Sequence, residues 1–141
     1  MKRDIGYLLK IINDKLEVRG NADMEKFGLT FRQSHVLAIL KGAGGEMTQK
    51  ELEDSLEVSH PTVVGLVNRM QKQGFLESRK DESDRRNKIV SLTEKARAVG
   101  EQLDRTVRDH NRLMLAGLTE QQKDSLYDML SVIDKNITRA T

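Results

Sequence analysis

The chain has 141 residues, 33% of them charged and 4% aromatic, with one proline and a formal net charge of +2. That length predicts one compact domain, 1–141, and that composition a helical protein with wet, ion-paired surfaces. The small net charge excludes a chain that is basic throughout, and the absence of cysteine excludes disulfides, thiolate metal sites and thiol redox sensing.

Met1-Lys2-Arg3-Asp4 is followed by no unbroken apolar run, so neither a signal peptide nor a membrane span is expected, and a reducing cytoplasm fits. Ile5, Leu8, Leu9, Ile12 and Leu16 recur at i, i+3, i+4, i+7 and i+11, the stripe of an amphipathic helix. It is expected to continue toward Phe27, with a weak point at Gly20-Asn21, and to end at Gly28-Leu29. Thr30 with Gln33 forms a capping box for a second helix that buries Val36, Leu37 and Leu40. Lys41-Gly42-Ala43-Gly44-Gly45 reads as a flexible connector, because it lacks the Lys-Ser/Thr ending of a phosphate-gripping loop.

Thr48-x-x-Glu51 opens a third helix carrying Leu52 and Leu56 on one face. Only Leu56-Glu57-Val58 separates it from a fourth, capped by Ser59 with Pro61 in its first turn. Val63, Leu66, Val67 and Met70 are the buried stripe of that fourth helix, and Gly74 ends it. Two short helices across so tight a turn read as a helix-turn-helix, whose second helix (59–73) enters the DNA major groove. Two strands are expected next, Phe75–Lys80 and Lys88–Leu92, around the polar loop 81–87 with Arg85 and Arg86 at its tip. This hairpin is the wing of a winged helix-turn-helix, a mainly α fold with a small β-hairpin. Between Ser59 and Val90 seven basic residues face four acidic ones, a local +3 suited to a polyanion.

Thr93 caps a long helix from Glu94 through Val99, Leu103 and Val107 to Leu113. Gly117 interrupts, and Thr119 with Gln122 starts a last helix striped by Leu126, Met129, Leu130, Ile133 and Ile137. The apolar stripes of both terminal segments, 1–28 and 94–141, lie outside the winged lobe 30–92 and call for a partner surface. The simplest is a second copy of the chain, so Ile5, Leu8, Leu9, Ile12, Leu126, Met129, Leu130, Ile133 and Ile137 are the expected dimerisation residues.

The residues Thr48–Leu52, Val58–Val63, Leu66–Met70, Gly74-Phe75 and Asp81–Arg86 running to Leu92-Thr93 resemble the MarR-type (multiple antibiotic resistance regulator) transcription factors. Length and long terminal helices extend the resemblance over nearly the whole chain. It implies an intertwined homodimer on a pseudo-palindromic double-stranded DNA operator. It also implies a repressor role and a small-molecule effector that lowers DNA affinity, for which no residue here is assigned. The absent cysteine removes the thiol chemistry of the family's peroxide-responsive branch. Two departures stand out. Glu57 occupies a turn position where many relatives carry glycine, and Val64 and Gly65 stand where relatives often carry polar or basic residues on the DNA face.

DNA-contact candidates divide by role. Ser59, His60, Pro61 and Thr62 form the turn pointed into the groove, where Thr62 can touch a thymine methyl or accept a hydrogen bond. Asn68 and Arg69 lie deeper, with Arg69 placed for phosphate or guanine, or else a surface ion-pair partner. Arg86, then Arg85, is the choice for the minor groove, with Asp81 and Asp84, Asp84 first, read as fold-back partners that orient one of the two arginines. Arg79, Lys80 and Lys88 add charge along the wing, and Gln33, Thr48 and Gln49 offer phosphate contacts at helix starts. His35, His60 and His110 are scattered, with no nucleophile–base pair, so no enzyme is expected. No cofactor or metal is expected either. Asp81–Asp84 lacks the glycine and the bidentate glutamate of a calcium loop. A winged-helix module that binds protein instead of DNA is the alternative reading.

Overall fold

The structure is a computed structural model describing residues 3–140. Its elements run α1 (Ile5–Met24), a 3-10 turn (Glu25–Phe27), α2 (Phe31–Gly42), β1 (Glu46–Thr48), α3 (Gln49–Leu56), α4 (His60–Lys72), β2 (Leu76–Lys80), β3 (Lys88–Leu92), α5 (Glu94–Met114) and α6 (Glu120–Ala140). The described residues fall into two compact units divided after Thr106, inside α5.

In the first unit every α-helix start is marked by a capping side chain. Asp4 Oδ1 accepts the Tyr7 N–H at 2.9 Å, and Thr30 and Gln33 exchange both bonds of a capping box. Thr48 Oγ1 accepts from the Glu51 N–H at 3.1 Å, which is the threonine half of its expected box. Ser59 caps α4 through the Thr62 N–H, and Thr93 Oγ1 both accepts from the Ala96 N–H and donates to the Gly74 carbonyl. These bonds satisfy N–H groups that the first turn of a helix leaves without intrahelical partners.

The stretch Gly20-Asn21, expected to weaken α1, instead lies within one continuous helix. Gly20 is buried, and a Cβ built on it would stand 2.3 Å from Phe31 Cγ and Cδ1. Asn21 Oδ1 accepts the Phe31 N–H at 2.8 Å. The glycine is a point of close approach between α1 and α2, and the asparagine supplies an acceptor to the first turn of α2. The second half of α1 thus packs into the winged unit, with Met24 1% exposed.

Core side chains come from every layer: Val36, Leu37 and Leu40 of α2, Leu52 of α3, Val63, Leu66, Val67 and Met70 of α4, Phe75, Leu76, Val90 and Leu92 around the sheet, and Ala96 and Leu103 of α5. Burying each large aliphatic side chain contributes roughly 1.5–3 kcal/mol. That burial holds α3 and α4 in place, since helices of 8 and 13 residues are marginal alone.

The sheet has three antiparallel strands in the order β1-β3-β2. β2 and β3 are the predicted wing, registered from Leu76 opposite Leu92 to Lys80 opposite Lys88. β1 was not expected. It pairs Glu46 with Ser91 and Thr48 with Ile89, and the Leu92 N–H donates to the Gly45 carbonyl at 2.9 Å. The glycine-rich segment is therefore an ordered corner leading into the sheet. Gly44 and Gly45 take φ of 86° and 108° there, in the region that glycine enters without steric cost.

In the second unit α5 runs on to Met114. The chain turns at Gly117 (φ 88°) and enters α6 through Thr119 and Gln122, which form both bonds of the expected capping box. No residue of α6 is fully buried in the single chain. Among the described residues no helix is long and apolar enough to cross a membrane.

Candidate nucleic-acid interface

The two helices of the helix-turn-helix are joined through Glu57, which adopts φ 53° and ψ 40° and donates its N–H to the Glu53 carbonyl. This is the left-handed conformation, which costs a non-glycine residue roughly 1–2 kcal/mol. A glutamate therefore stands in a backbone conformation that favours glycine. The helices are further tied by a hydrogen bond between His60 Nδ1 and Glu53 Oε1. His60 was expected to face DNA. Its ring is exposed, but one nitrogen is committed to α3, leaving Nε2 as its outward group. Glu53 was not singled out from sequence, because the pair joins two elements that only the fold brings together.

α4 buries Val63, Leu66, Val67 and Met70 and leaves Pro61, Asn68 and Lys72 exposed, with Gly65 half-buried on the same stripe, at i, i+7, i+11 and i+4. Ser59 and Thr62 are linked hydroxyl to hydroxyl at 2.9 Å. The Thr62 hydroxyl is thereby shared with the cap. Arg69 is exposed and, among the described residues, makes no ion pair; its guanidinium lies over Gly65. At the other end Gln71 Nε2 donates to Ser78 Oγ at 2.9 Å, pinning α4 to the first wing strand. Lys95 Nζ donates to the Gln73 carbonyl and sits 4.6 Å from the Phe75 ring centroid, a cation–π contact closing the exit of the helix.

Gln33 requires a correction as a side-chain phosphate contact. It is 4% exposed and its Oε1 accepts the Thr30 N–H, so the capping box consumes it. The same residue types serve caps and phosphate contacts, and burial separates the two roles. Thr48 caps α3, and it and Gln49 are half-buried at the start of that helix.

The wing loop is internally braced. The Asp81 N–H donates to the Asn87 carbonyl and the Asn87 N–H to the Asp84 carbonyl, while Asp81 Oδ1 accepts from both the N–H and the hydroxyl of Ser83. Asp84 grips Arg86 by three bonds: Nε to Oδ1 at 3.0 Å, Nη2 to Oδ2 at 3.1 Å, and the backbone N–H to Oδ1 at 3.2 Å. The Arg86 side-chain bonds and then its backbone N–H hold the Asp84 carboxyl below the usual carboxylate range. Arg86 is nonetheless 89% exposed. A two-pronged pair fixes the plane of the guanidinium while leaving its outer edge to solvent. Arg79 pairs with Glu46 of β1 at 3.0 Å, a partner that the unexpected third strand brings within reach. Arg79, Lys80, Arg85, Arg86 and Lys88 line a shallow concavity of about 450 Å³ on the wing.

Comparison with known proteins agrees with this geometry. Residues 27–87 match the MarR family model. The uncharacterized HTH-type transcriptional regulator YwoH of Bacillus subtilis is 33% identical over 107 residues, covering 76% of this chain and 77% of YwoH. The chain belongs to the MarR family. Another relative, the HTH-type transcriptional regulator PecS of Dickeya dadantii, is 26% identical over 117 residues, 79% of this chain and 69% of PecS.

Among solved structures, a MarR mutant from E. coli complexed with operator DNA superposes with a TM-score of 0.84 at 25% identity, covering 92% of each chain. The S. aureus MepR–DNA complex gives 0.88 at 20% identity, covering 96% of this chain and 99% of that one. The chain is thus a MarR-family winged-helix protein, and its family and relatives are transcriptional regulators, not enzymes. Gly65 leaves the middle of α4 without a side chain.

Proposed function

We propose that this MarR-family regulator works in the cytoplasm as a homodimer on a pseudo-palindromic DNA operator, and that it is a repressor released by a small-molecule effector. The observation that carries the DNA reading is the Asp84–Arg86 clamp. A solvated loop has no need to hold an exposed arginine by three bonds, whereas a guanidinium entering a narrow minor groove gains from arriving already oriented. The outward face of α4 with Asn68, Arg69 and Lys72 would lie in the major groove, and Arg79, Lys80, Arg85 and Lys88 beside the phosphates. Operator DNA bound by the E. coli relative supports this. Repression and effector response rest on kinship with that family.

Dimerisation is supported by apolar surface that the single chain leaves in water. Ile5, Leu8 and Ile12 on α1 and Met129, Leu130 and Ile137 on α6 are all exposed, while Leu9, Leu126 and Ile133 are half-buried. Stripes of this kind mark an association surface.

Selection of bound sites from random duplex DNA tests the reading. Enrichment of an inverted repeat, bound by a species of twice the chain mass with steep salt dependence, is the expected result. A chain that enriches no duplex sequence is a protein-interaction module instead.

A further inference from the structure

The outward stripe of α4 is chemically sparse: Pro61 and Gly65 offer no side-chain donor, leaving Asn68 and Lys72. Yet the space above Gly65 is filled. A Cβ built on Gly65 would lie 3.3 Å from Arg69 Nη1, 3.7 Å from Nη2 and 3.8 Å from Cζ. Arg69 stands one helical turn on and somewhat to the side of the stripe. Its side chain runs back toward the helix N-terminus, as side chains on helices do, and lays the guanidinium across the missing side chain. The glycine is costly where it stands, about 1 kcal/mol against alanine in a helix interior, and its φ is an ordinary helical one, so no backbone geometry demands it. What the glycine does provide is room for the guanidinium at the centre of the outward face.

We propose that Gly65 and Arg69 form one reading element, in which the glycine notch seats the Arg69 guanidinium at the floor of the major groove to recognise a guanine in each half-site. Two features of the geometry favour base over phosphate. The guanidinium is drawn inward over the middle of the stripe rather than extended toward its rim, and among the described residues no carboxylate competes for it. A planar fork of N–H donors matches O6 and N7 of guanine. Gly65 is a positioning residue in this scheme and Arg69 the one that touches the base.

The inference rests on the DNA reading above, and the experiment separates the two. Site selection is run on the parent chain and on Gly65→Ala, Arg69→Ala and Arg69→Lys, with thermal unfolding of each. The parent is expected to enrich guanine at a fixed position of each half-site. Arg69→Ala should lower discrimination at that position by about ten- to a hundredfold. Arg69→Lys should lose the same discrimination while keeping the salt slope, because the charge remains and the fork does not. Gly65→Ala should melt higher than the parent and still discriminate less at that one position, a combination that a merely structural glycine would not give. A uniform loss of affinity across all sequences in Arg69→Ala, with a shallower salt slope, would make Arg69 a phosphate ligand and overturn the proposal while leaving the DNA reading intact. Unaltered preference in Gly65→Ala would overturn the role of the glycine. A parent chain that selects no site overturns both readings together.

Discussion

Substituting Gly20 by alanine tests how the first helix is seated on the winged unit. In an isolated helix the change would stabilise by about 1 kcal/mol. Here the new methyl would meet Phe31 Cγ and Cδ1 at 2.3 Å and Cδ2 at 2.7 Å. Carbon atoms pack at roughly 3.5–4.0 Å, so the ring must retreat by more than an ångström. Retreat is resisted on two sides: the ring lies against His35 at a centroid distance of 4.4 Å, and the Phe31 N–H is held by Asn21. Overpacking of this kind costs about 1–3 kcal/mol. Set against the propensity gain, the net effect is a loss of about 1 kcal/mol, roughly 3–6 °C in Tm for a chain of this size. The double-mutant cycle with Phe31→Ala makes the test sharp. Without the ring, Gly20→Ala should become stabilising by about 1 kcal/mol, a reversal of sign. Urea unfolding followed by circular dichroism, at fixed protein concentration so that dimerisation does not shift the midpoint, measures all four corners. If Gly20→Ala has the same effect with and without the Phe31 ring, close approach does not explain this glycine.

Three further sites give expected outcomes beside the Asp84 titration. Asp84→Ala should weaken operator binding although it removes a negative charge from a DNA-facing tip, and Arg86→Ala should weaken it with a salt slope shallower by about one unit for each phosphate left without its arginine; tighter binding by Asp84→Ala in a salt-series titration would show the acids to be only a solvated loop. Because Arg86 depresses the Asp84 pKa, the brace is complete above the ordinary carboxylate range and is lost only as pH falls through the lowered value, so its titration should leave no step in operator binding between about pH 5 and 8. Glu57→Gly should raise stability by about 0.5–1 kcal/mol, the relief of a left-handed glutamate less the entropy of glycine, which thermal unfolding reads directly. Ile133→Asp should yield folded monomers without operator binding, since an unpaired charge buried at an interface costs several kcal/mol, and a dimer persisting in sedimentation would exclude that face of α6 from the interface.

Much of this molecule is written locally in the chain. Capping residues, apolar period and turn residues act within a few positions of one another, so Thr30, Ser59, Thr93 and Thr119 mark four helix starts and the stripe Val63–Met70 marks the buried side of the recognition helix. The Asp84–Arg86 brace is legible for the same reason: its partners are two residues apart. What the tertiary structure decided is every feature whose partners meet only after folding. β1 is three residues with no periodicity of its own, and it exists because β3 offers it a free edge. That strand carries Glu46 to Arg79, as the helical turn carries Glu53 to His60. Gly20 reads as a flaw until Phe31 lies against it, and Gln33, already legible as half of a capping box, keeps a phosphate role beside it until burial is known. A glycine, a glutamine or an acid carries little signal alone, because its meaning depends on the neighbour that long-range packing supplies.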